Sequence, residues 1–264
     1  MMKCLVPKDN YRSPQRKVPW LARKCPSLAF YPKFLYLVVR ASWQAKRGRL
    51  TLEARVNGSF ELVRTLESVG VRFEICNTAA FRNLEGPCVF VSNHMSTLET
   101  LVFTSVIEPY REITFVVKKS LVRYPVFKNI MLSRNPIVVG RKNPREDFEA
   151  VLRGGGERLG KGISVVVFPQ TTRTTAFDPA EFNSIGVKLA RRAGVPVIPV
   201  ALRTDAWGNS EHFVKDFGRI DPSKPVRIHF GEPISIKGNG KEEHERIVEF
   251  IGGKVREWFS ADET

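Results

Sequence analysis

The sequence has few of the cysteines that form disulfide cross-links in small proteins or bind metal ions. It contains only four cysteines in 264 residues, and their positions match neither a disulfide framework nor a metal site. We therefore expect a reducing compartment and no metal. Long apolar runs are also missing. Residues 28–39 are apolar, but Pro32 and Lys33 interrupt them, whereas a transmembrane helix needs about 20 apolar residues.

Acidic residues are scarce at one end of the chain. Residues 1–49 contain twelve lysines and arginines and only one acid, Asp9, which gives +11 of the total net charge of +15. The remaining residues carry 30 basic and 26 acidic groups, a net charge of +4. Because this larger part is nearly balanced and contains no nucleic-acid-binding motif, we expect no nucleic-acid partner.

The basic N-terminal part divides into two segments. Residues 1–19 are polar, basic and interrupted by prolines, which predicts a flexible tail. Residues 20–57 are predicted to be an amphipathic helical segment that associates with a membrane. Their apolar stretch has Trp20 and Trp43 near its ends and basic residues on both sides, which is typical of a helix lying in a membrane interface. A buried helix with snorkelling lysines and arginines is the alternative. The first interpretation predicts a peripheral or monotopic protein on the cytoplasmic face of a membrane.

The rest of the chain, residues 58–264, alternates between helix-like and strand-like patterns without a long spacer. This alternation predicts one α/β domain with a mixed, largely parallel central sheet flanked by helices. Short apolar runs predict strands, and apolar residues at helical spacing predict helices. The strands are expected near residues 71–75, 88–91, 113–117, 136–139, 163–168, 195–202 and 226–230, and the main helices near residues 51–68, 98–106, 147–159, 178–193 and 241–259.

The most informative stretch is the turn after the strand at residues 88–91. His94 lies in this turn, just before a helix that begins near Leu98, where open α/β sheets place their ligands. From that position its side chain can meet Glu99. However, Ser96 and Glu99 also form a capping-box pattern, which would use the Glu99 carboxylate on a backbone amide. The local sequence leaves both uses open.

Two arginines follow other predicted strands. Arg141 comes directly after a short strand and is placed to meet an anion or to remain solvated. Arg173 follows the strand at residues 163–168 within a loop of hydroxyl and amide side chains. A guanidinium in such a loop suits a phosphate group, to which it can donate two parallel hydrogen bonds; an ordinary polar loop is the alternative.

Four motifs now stand in order along the chain, and together they resemble a known family. That family is the lysophosphatidic acid (1-acylglycerol-3-phosphate) acyltransferases, the glycerolipid acyltransferases with a His-x4-Asp motif. The matching pieces are Asn93-His94-x4-Glu99, Arg141 after its strand, Phe168-Pro-Gln-Thr-Thr-Arg173 and Val195-Pro-x-x-Pro-Val200. The family carries Asp where this chain has Glu99, Glu where it has Gln170 and Gly where it has Thr171. The last two differences bear on the acceptor more than on the reaction type.

The resemblance implies an O-acyltransferase without cofactor or metal. It would move a fatty acyl group from a thioester, either acyl-coenzyme A or acyl-carrier protein, to the hydroxyl of a lysophospholipid; 1-acylglycerol-3-phosphate would give phosphatidic acid. Membrane lipids and the acyl donor are the expected partners. His94 would act as general base and Glu99 would orient it. Substrate contacts are expected from Arg173, Arg141, Gln170, Thr171, Thr172 and Asn93, and oxyanion donors from the backbone amides of residues 96–98.

Other functions fit parts of the pattern. The changes at Gln170 and Thr171 suit a different acceptor, such as a lyso-ornithine lipid. The departures from the family motifs at Glu99 and Gln170 also suit a non-catalytic lipid-binding relative. A hydrolase that uses Ser92 or Ser96 with His94 is disfavoured, because the chain has no Gly-x-Ser-x-Gly elbow.

Overall fold

The computed structural model describes residues 2–124, 127–170, 172–210 and 217–261. Its strands are β1 (Tyr11–Arg12), β2 (Phe73–Cys76), β3 (Val89–Ser92), β4 (Ile113–Lys118), β5 (Ile137–Val139), β6 (Ser164–Val167), β7 (Val197–Arg203) and β8 (Val226–Phe230). Its α-helices are α1 (Trp20–Lys24), α2 (Pro26–Lys46), α3 (Leu52–Ser68), α4 (Ala79–Arg82), α5 (Leu98–Val106), α6 (Phe127–Leu132), α7 (Pro144–Leu159), α8 (Ile185–Ala193) and α9 (Lys241–Ser260).

The described strands form one mixed sheet in the order β1-β2-β8-β7-β3-β6-β4-β5. Strands β3 to β7 pair only in parallel with one another, while β8 is antiparallel to β7 and β1 is antiparallel to β2. The predicted mixed, largely parallel α/β fold is therefore confirmed. Because β3, β4, β5, β6 and β7 run in one direction, the turns that follow them all lie at the same edge of the sheet.

Both faces of the sheet are buried. Along β3, Phe90 faces a core shared with α2, α3 and α5, whereas Val89 and Val91 face a second core shared with α7, α8 and α9. This explains why the central strands are continuous apolar runs without alternation. Gly186 of α8 allows the closest approach of a helix to β3, since a Cβ atom there would lie 2.4 Å from a methyl group of Val91.

The prediction of a flexible tail at residues 1–19 is wrong for its central part. Leu5 and Val6 are buried, and Tyr11–Arg12 adds an antiparallel edge strand to β2. The hydroxyl groups of Tyr11 and Ser13 both donate to the buried carboxylate of Glu67 on α3. Apolar and hydroxyl side chains scattered among basic residues supply these contacts, which the overall composition of the segment conceals.

The helix α2 has two different faces. Its Phe30, Phe34 and Val38 are buried, and the rings of Phe30 and Phe34 each lie 4.9 Å from that of Trp207. Its opposite side leaves apolar side chains exposed, including Tyr36 at 64%. The buried face fits the alternative of a helix packed on the core, while association of the exposed face with a membrane stays a prediction. Among the described residues, no helix combines the length and hydropathy needed to cross a membrane.

One predicted helix begins later than expected. The capping-box residue Asp178 does accept a backbone N–H, but it caps only a short 3-10 turn, Pro179–Glu181. The α-helix starts at Ile185, after Phe182 has become buried in the second core. Burial of this aromatic side chain bends the chain out of the helical path that the local pattern favours.

Candidate active site

The residues singled out by the sequence meet at the carboxyl-terminal edge of the parallel strands. His94 follows β3, Arg173 follows β6 and Arg141 follows β5. Lys118 ends β4, and Thr204 comes immediately after β7. The site is therefore built from turns after five neighbouring strands, each anchored by a buried strand behind it.

His94 and Glu99 form a pair at the centre of this edge. His94 Nδ1 lies 3.2 Å from Glu99 Oε2, and the Glu99 side chain is completely buried. The other carboxylate oxygen, Oε1, accepts the backbone N–H groups of Met95 and Ser96, each at 2.7 Å, and the hydroxyl of Thr204 at 2.6 Å. The two uses left open by the sequence therefore coexist. One oxygen holds the turn, and the other faces the histidine.

This arrangement fixes the state of the carboxylate. Although burial raises the pKa of Glu99, the charge and hydrogen bond of His94, together with the Thr204 hydroxyl and the Ser96 amide, lower it below its ordinary value. An ionised carboxylate only accepts hydrogen bonds, so His94 must donate from Nδ1. Its Nε2 then carries the lone pair, which accepts a hydrogen bond from Arg173 Nε and is the group that could take a proton from another molecule.

The imidazole is held by further contacts around its backbone and ring. The ring stacks on Phe168, with centroids 4.3 Å apart. The Gln170 side-chain oxygen accepts the His94 N–H at 2.8 Å, and the Thr174 N–H donates to the His94 carbonyl at 3.0 Å. The loops after β3 and β6 are thereby joined. A glutamate carboxylate could accept the same N–H, so the change to Gln170 preserves this contact.

Arg173 points at the outer nitrogen of the histidine. Its Nε donates to His94 Nε2 at 3.4 Å, so the guanidinium occupies the position from which a substrate proton would arrive. Arg141 has a positive φ of 56°, and its exposed side chain and that of Thr172 border a cavity that opens beside His94. Thr171 lies outside the described residues.

Asn93 does not bind substrate as predicted. It is buried, its amide nitrogen donates to the Leu202 carbonyl, and its oxygen accepts the Leu202 N–H, both at 2.8 Å. These bonds join the end of β3 to β7. Of the expected oxyanion donors at residues 96–98, two are likewise occupied: the N–H of Ser96 donates to Glu99 and that of Leu98 to the Ser96 hydroxyl.

A cavity of about 1520 Å³ opens beside His94. Its polar lining includes His94, Arg173, Arg141, Lys118 and Gln170. Its walls are mostly apolar and come from α2, α5, β4 and α6, including Phe34, Val38, Leu101, Phe115, Ile130 and Met131. A cavity of this size and composition suits a long hydrocarbon chain whose reactive end lies at the histidine.

Sequence reasoning missed two residues of this edge. Thr204 and Lys118 carry no motif signal of their own, but both lie where an apolar strand ends, and that position could have pointed to them. No group of three or more His, Cys, Asp or Glu side chains among the described residues could hold a metal ion. The reaction without cofactor or metal stays a prediction.

The buried Glu99 predicts a dependence of stability on pH. Because its pKa is lower in the folded protein than its usual 4.5, the ionised carboxylate stabilises the fold above that pH, and this contribution disappears as the pH falls through the folded-state value. We expect Glu99→Gln to lower the free energy of unfolding at pH 6 and to differ less from wild type at pH 3.5, measured by urea unfolding. Glu249→Gln, at an exposed position of α9, is the control. A difference between Glu99→Gln and wild type that is constant over this range would contradict the assignment.

Comparison with known proteins agrees with the motifs. The family model described as acyltransferase matches residues 71–203, half of the chain. A 1-acyl-sn-glycerol-3-phosphate acyltransferase of Pseudomonas aeruginosa is 33% identical over 202 residues, which cover 76% of this chain and 72% of that protein. A protein of the same name from Borreliella burgdorferi is 23% identical over 63% of this chain and 64% of its own length.

The fold also has a solved counterpart. The crystal structure of the 1-acyl-sn-glycerophosphate (LPA) acyltransferase PlsC from Thermotoga maritima superposes with a TM-score of 0.67 at 20% identity, covering 88% of this chain and 93% of that one. At this identity the likeness supports the fold alone. The family match over half of the chain, together with the Pseudomonas relative, shows that this chain belongs to the acyltransferase family.

Proposed function

We propose that the protein transfers a fatty acyl group from an acyl thioester to the hydroxyl of a lysophospholipid, and that 1-acylglycerol-3-phosphate is the acceptor and phosphatidic acid the product. One observation carries this proposal: a carboxylate-oriented histidine lines a mostly apolar cavity together with cationic side chains that include Arg173, Arg141 and Lys118. The name and 33% identity of the Pseudomonas relative support the same activity.

The geometry suits a direct transfer from thioester to acceptor. His94 Nε2 takes the proton of the acceptor hydroxyl as its oxygen attacks the thioester carbonyl carbon. The tetrahedral intermediate then expels the thiolate, and the imidazolium returns the proton to the sulfur. Glu99 stabilises the imidazolium through its bond to Nδ1 and keeps the ring in one tautomer. The products are the ester and the free thiol, and the histidine is regenerated.

The apolar lining and the cationic side chains of the cavity bind different parts of the substrates. The hydrocarbon chain enters the apolar part, where burial contributes about 0.8 kcal/mol per methylene group. Arg173, Arg141 and Lys118 hold the acceptor phosphate, which places the neighbouring hydroxyl at His94. Since Arg173 already lies beside His94 Nε2, a phosphate that binds its guanidinium brings the hydroxyl to the right nitrogen.

The side chains of the site support the alternative functions to different degrees. The hydrolase is the weakest, because Ser92 donates to the Val200 carbonyl and Ser96 to Thr204, both away from the outer nitrogen of His94. A non-catalytic lipid-binding role does not require a histidine that is oriented by a carboxylate. A lyso-ornithine or other phosphate-free acceptor remains the second candidate, since Thr172 and Gln170 border the cavity beside the cations.

Membrane association is part of the proposal. The outer face of α2 leaves Leu28, Leu35, Tyr36 and Val39 exposed, and Leu35 and Val39 also border the cavity. An apolar face rimmed by the basic residues of this segment suits insertion into the interface of an anionic membrane. Docking by this face brings the cavity mouth to the lipid acceptor. The cytoplasmic leaflet is the proposed location.

The reaction is tested with purified protein in mixed micelles, acyl-coenzyme A and acyl-carrier protein as donors, and a mixture of lysophospholipids and phosphate-free lyso-lipids as acceptors. We expect mass spectrometry to detect phosphatidic acid, and His94→Ala to lower its formation by about 10²–10⁴-fold because the general base is lost. A phosphate-free product would support the second candidate function, acyl transfer to a phosphate-free lyso-lipid. Tight binding of lysolipid without any product would favour the non-catalytic role.

Arg173→Ala should impair use of the acceptor more than use of the donor. Loss of a charge-assisted contact to phosphate is expected to raise the KM for 1-acylglycerol-3-phosphate by roughly 10–100-fold, with a smaller change for the donor. Steady-state kinetics with each substrate varied in turn measures both values. Arg145→Ala, at an exposed arginine of α7, is the control. An equal loss with a phosphate-free acceptor would show that Arg173 does not bind phosphate.

The exposed face of α2 is tested by point substitution, because deletion of the segment would also remove Phe30, Phe34 and Val38 from the core. Leu28→Gln with Tyr36→Gln should reduce flotation with anionic vesicles at least about tenfold, since each buried apolar side chain contributes about 1.5–3 kcal/mol. A double variant of exposed apolar residues elsewhere, Leu52→Gln with Val138→Gln, is the control. Undiminished flotation of the α2 variant would exclude this face as the membrane contact.

A further inference from the structure

A second, smaller concavity adjoins the large cavity and shares some of its lining residues. It has a volume of about 460 Å³ and is formed by the turn after β4 and the turn after β5. Its lining includes the cationic side chains Lys118, Lys119, Arg123 and Lys142, and it includes no carboxylate. We call this concavity the cationic groove.

The cations of the groove are available to a ligand. All four are exposed, and none forms an ion pair with another of the described residues. The loop that presents Lys142 is held in place from below, because the Asp147 carboxylate accepts the N–H groups of Gly140 and Arg141, each at 2.7 Å. Several like charges fixed around one concavity create a positive potential that attracts an anion with more than one charge.

The groove adjoins the large cavity without being part of it. Lys118, Ser120 and Tyr124 line both, whereas Lys119, Arg123 and Lys142 line the groove alone. A thioester donor must place its acyl chain in the apolar cavity and its carbonyl carbon at His94. The rest of the carrier must then leave the cavity, and the groove meets the cavity at Lys118, Ser120 and Tyr124.

We propose that Lys119, Arg123 and Lys142, the groove cations that the large cavity does not share, bind the phosphate groups of a nucleotide-type acyl donor, a thioester of the coenzyme A class. The inference rests on the proposed acyl transfer and names the donor for that reaction. The volume of the groove lies within the about 300–1,000 Å³ typical of small-molecule sites, and a concavity suits a nucleotide better than the convex surface of a carrier protein. The outer face of α2, by contrast, is the apolar and aromatic surface that suits lipid.

The test compares two donors that differ only in their phosphates. Palmitoyl-coenzyme A and palmitoyl-pantetheine carry the same thioester, but the second lacks the nucleotide and its phosphates. For the double variant Arg123→Ala with Lys142→Ala we expect the KM for palmitoyl-coenzyme A to rise at least about tenfold, while kcat and the kinetics with palmitoyl-pantetheine stay at wild-type values. Lys161→Ala with Arg192→Ala, at exposed basic positions outside the groove, should change neither.

Other results of this comparison overturn the proposal. An equal loss with both donors would assign the groove to the acceptor. A loss with acyl-carrier protein but not with palmitoyl-coenzyme A would assign it to a protein carrier. Reduced flotation of the groove variant with anionic vesicles would assign it to lipid headgroups. Unchanged kinetics with every donor would leave the groove without a role in donor binding.

A binding measurement separates this inference from the proposed function. Adenosine 3′,5′-bisphosphate carries phosphates of the expected kind and needs no turnover. By titration calorimetry we expect it to bind the wild-type protein, and to bind the groove variant at least about tenfold more weakly. Binding that weakens at high salt fits exposed charges. Absence of binding to wild type overturns the inference, whether or not the protein transfers acyl groups.

Discussion

The site depends on one buried carboxylate that serves two purposes. Glu99 Oε1 accepts hydrogen bonds from two backbone amides and the Thr204 hydroxyl, and Glu99 Oε2 faces His94. A charge buried in this way is tolerated only where its hydrogen bonds are made, and here they come from both sides of the turn and from the neighbouring strand β7. The same interactions that keep the carboxylate ionised therefore set the position of the turn. The orientation of His94 follows from the fold of this short loop.

The sheet explains why the other groups converge. Its five parallel strands end at one edge, so turns that are far apart in the chain bring His94, Arg173, Arg141 and Lys118 to one cavity. The side-chain contacts of Gln170 and Asn93 then join these turns to one another. Thus residues that the motifs suggest as binding groups in fact fix the geometry of those that face the cavity. The sequence pattern alone does not show which of these residues hold the turns together and which face the cavity.

Much of the fold and the central pair could be predicted from the sequence. Buried strands and long amphipathic helices leave strong periodic signals, and β8 and α5 have the predicted bounds. The placement of His94 and Glu99 followed from the strand end and the helix start. The later start of α8, the paired strand Tyr11–Arg12 and the inward turn of Asn93 could not be predicted in this way, because each depends on a contact with a residue more than 50 positions away. Local patterns contain no information on such partners.

The helix α2 is both a wall of the large cavity and an outer surface of the protein. Phe34 and Val38 line the cavity, while Tyr36 is turned outwards. A hydrocarbon chain in the cavity and a lipid surface outside would contact the same helix, because Leu35 and Val39 are exposed and also border the cavity. By thermodynamic linkage, any factor by which one of them changes the affinity for the other is returned unchanged. Occupancy of the cavity and attachment to a bilayer would then be reciprocal quantities.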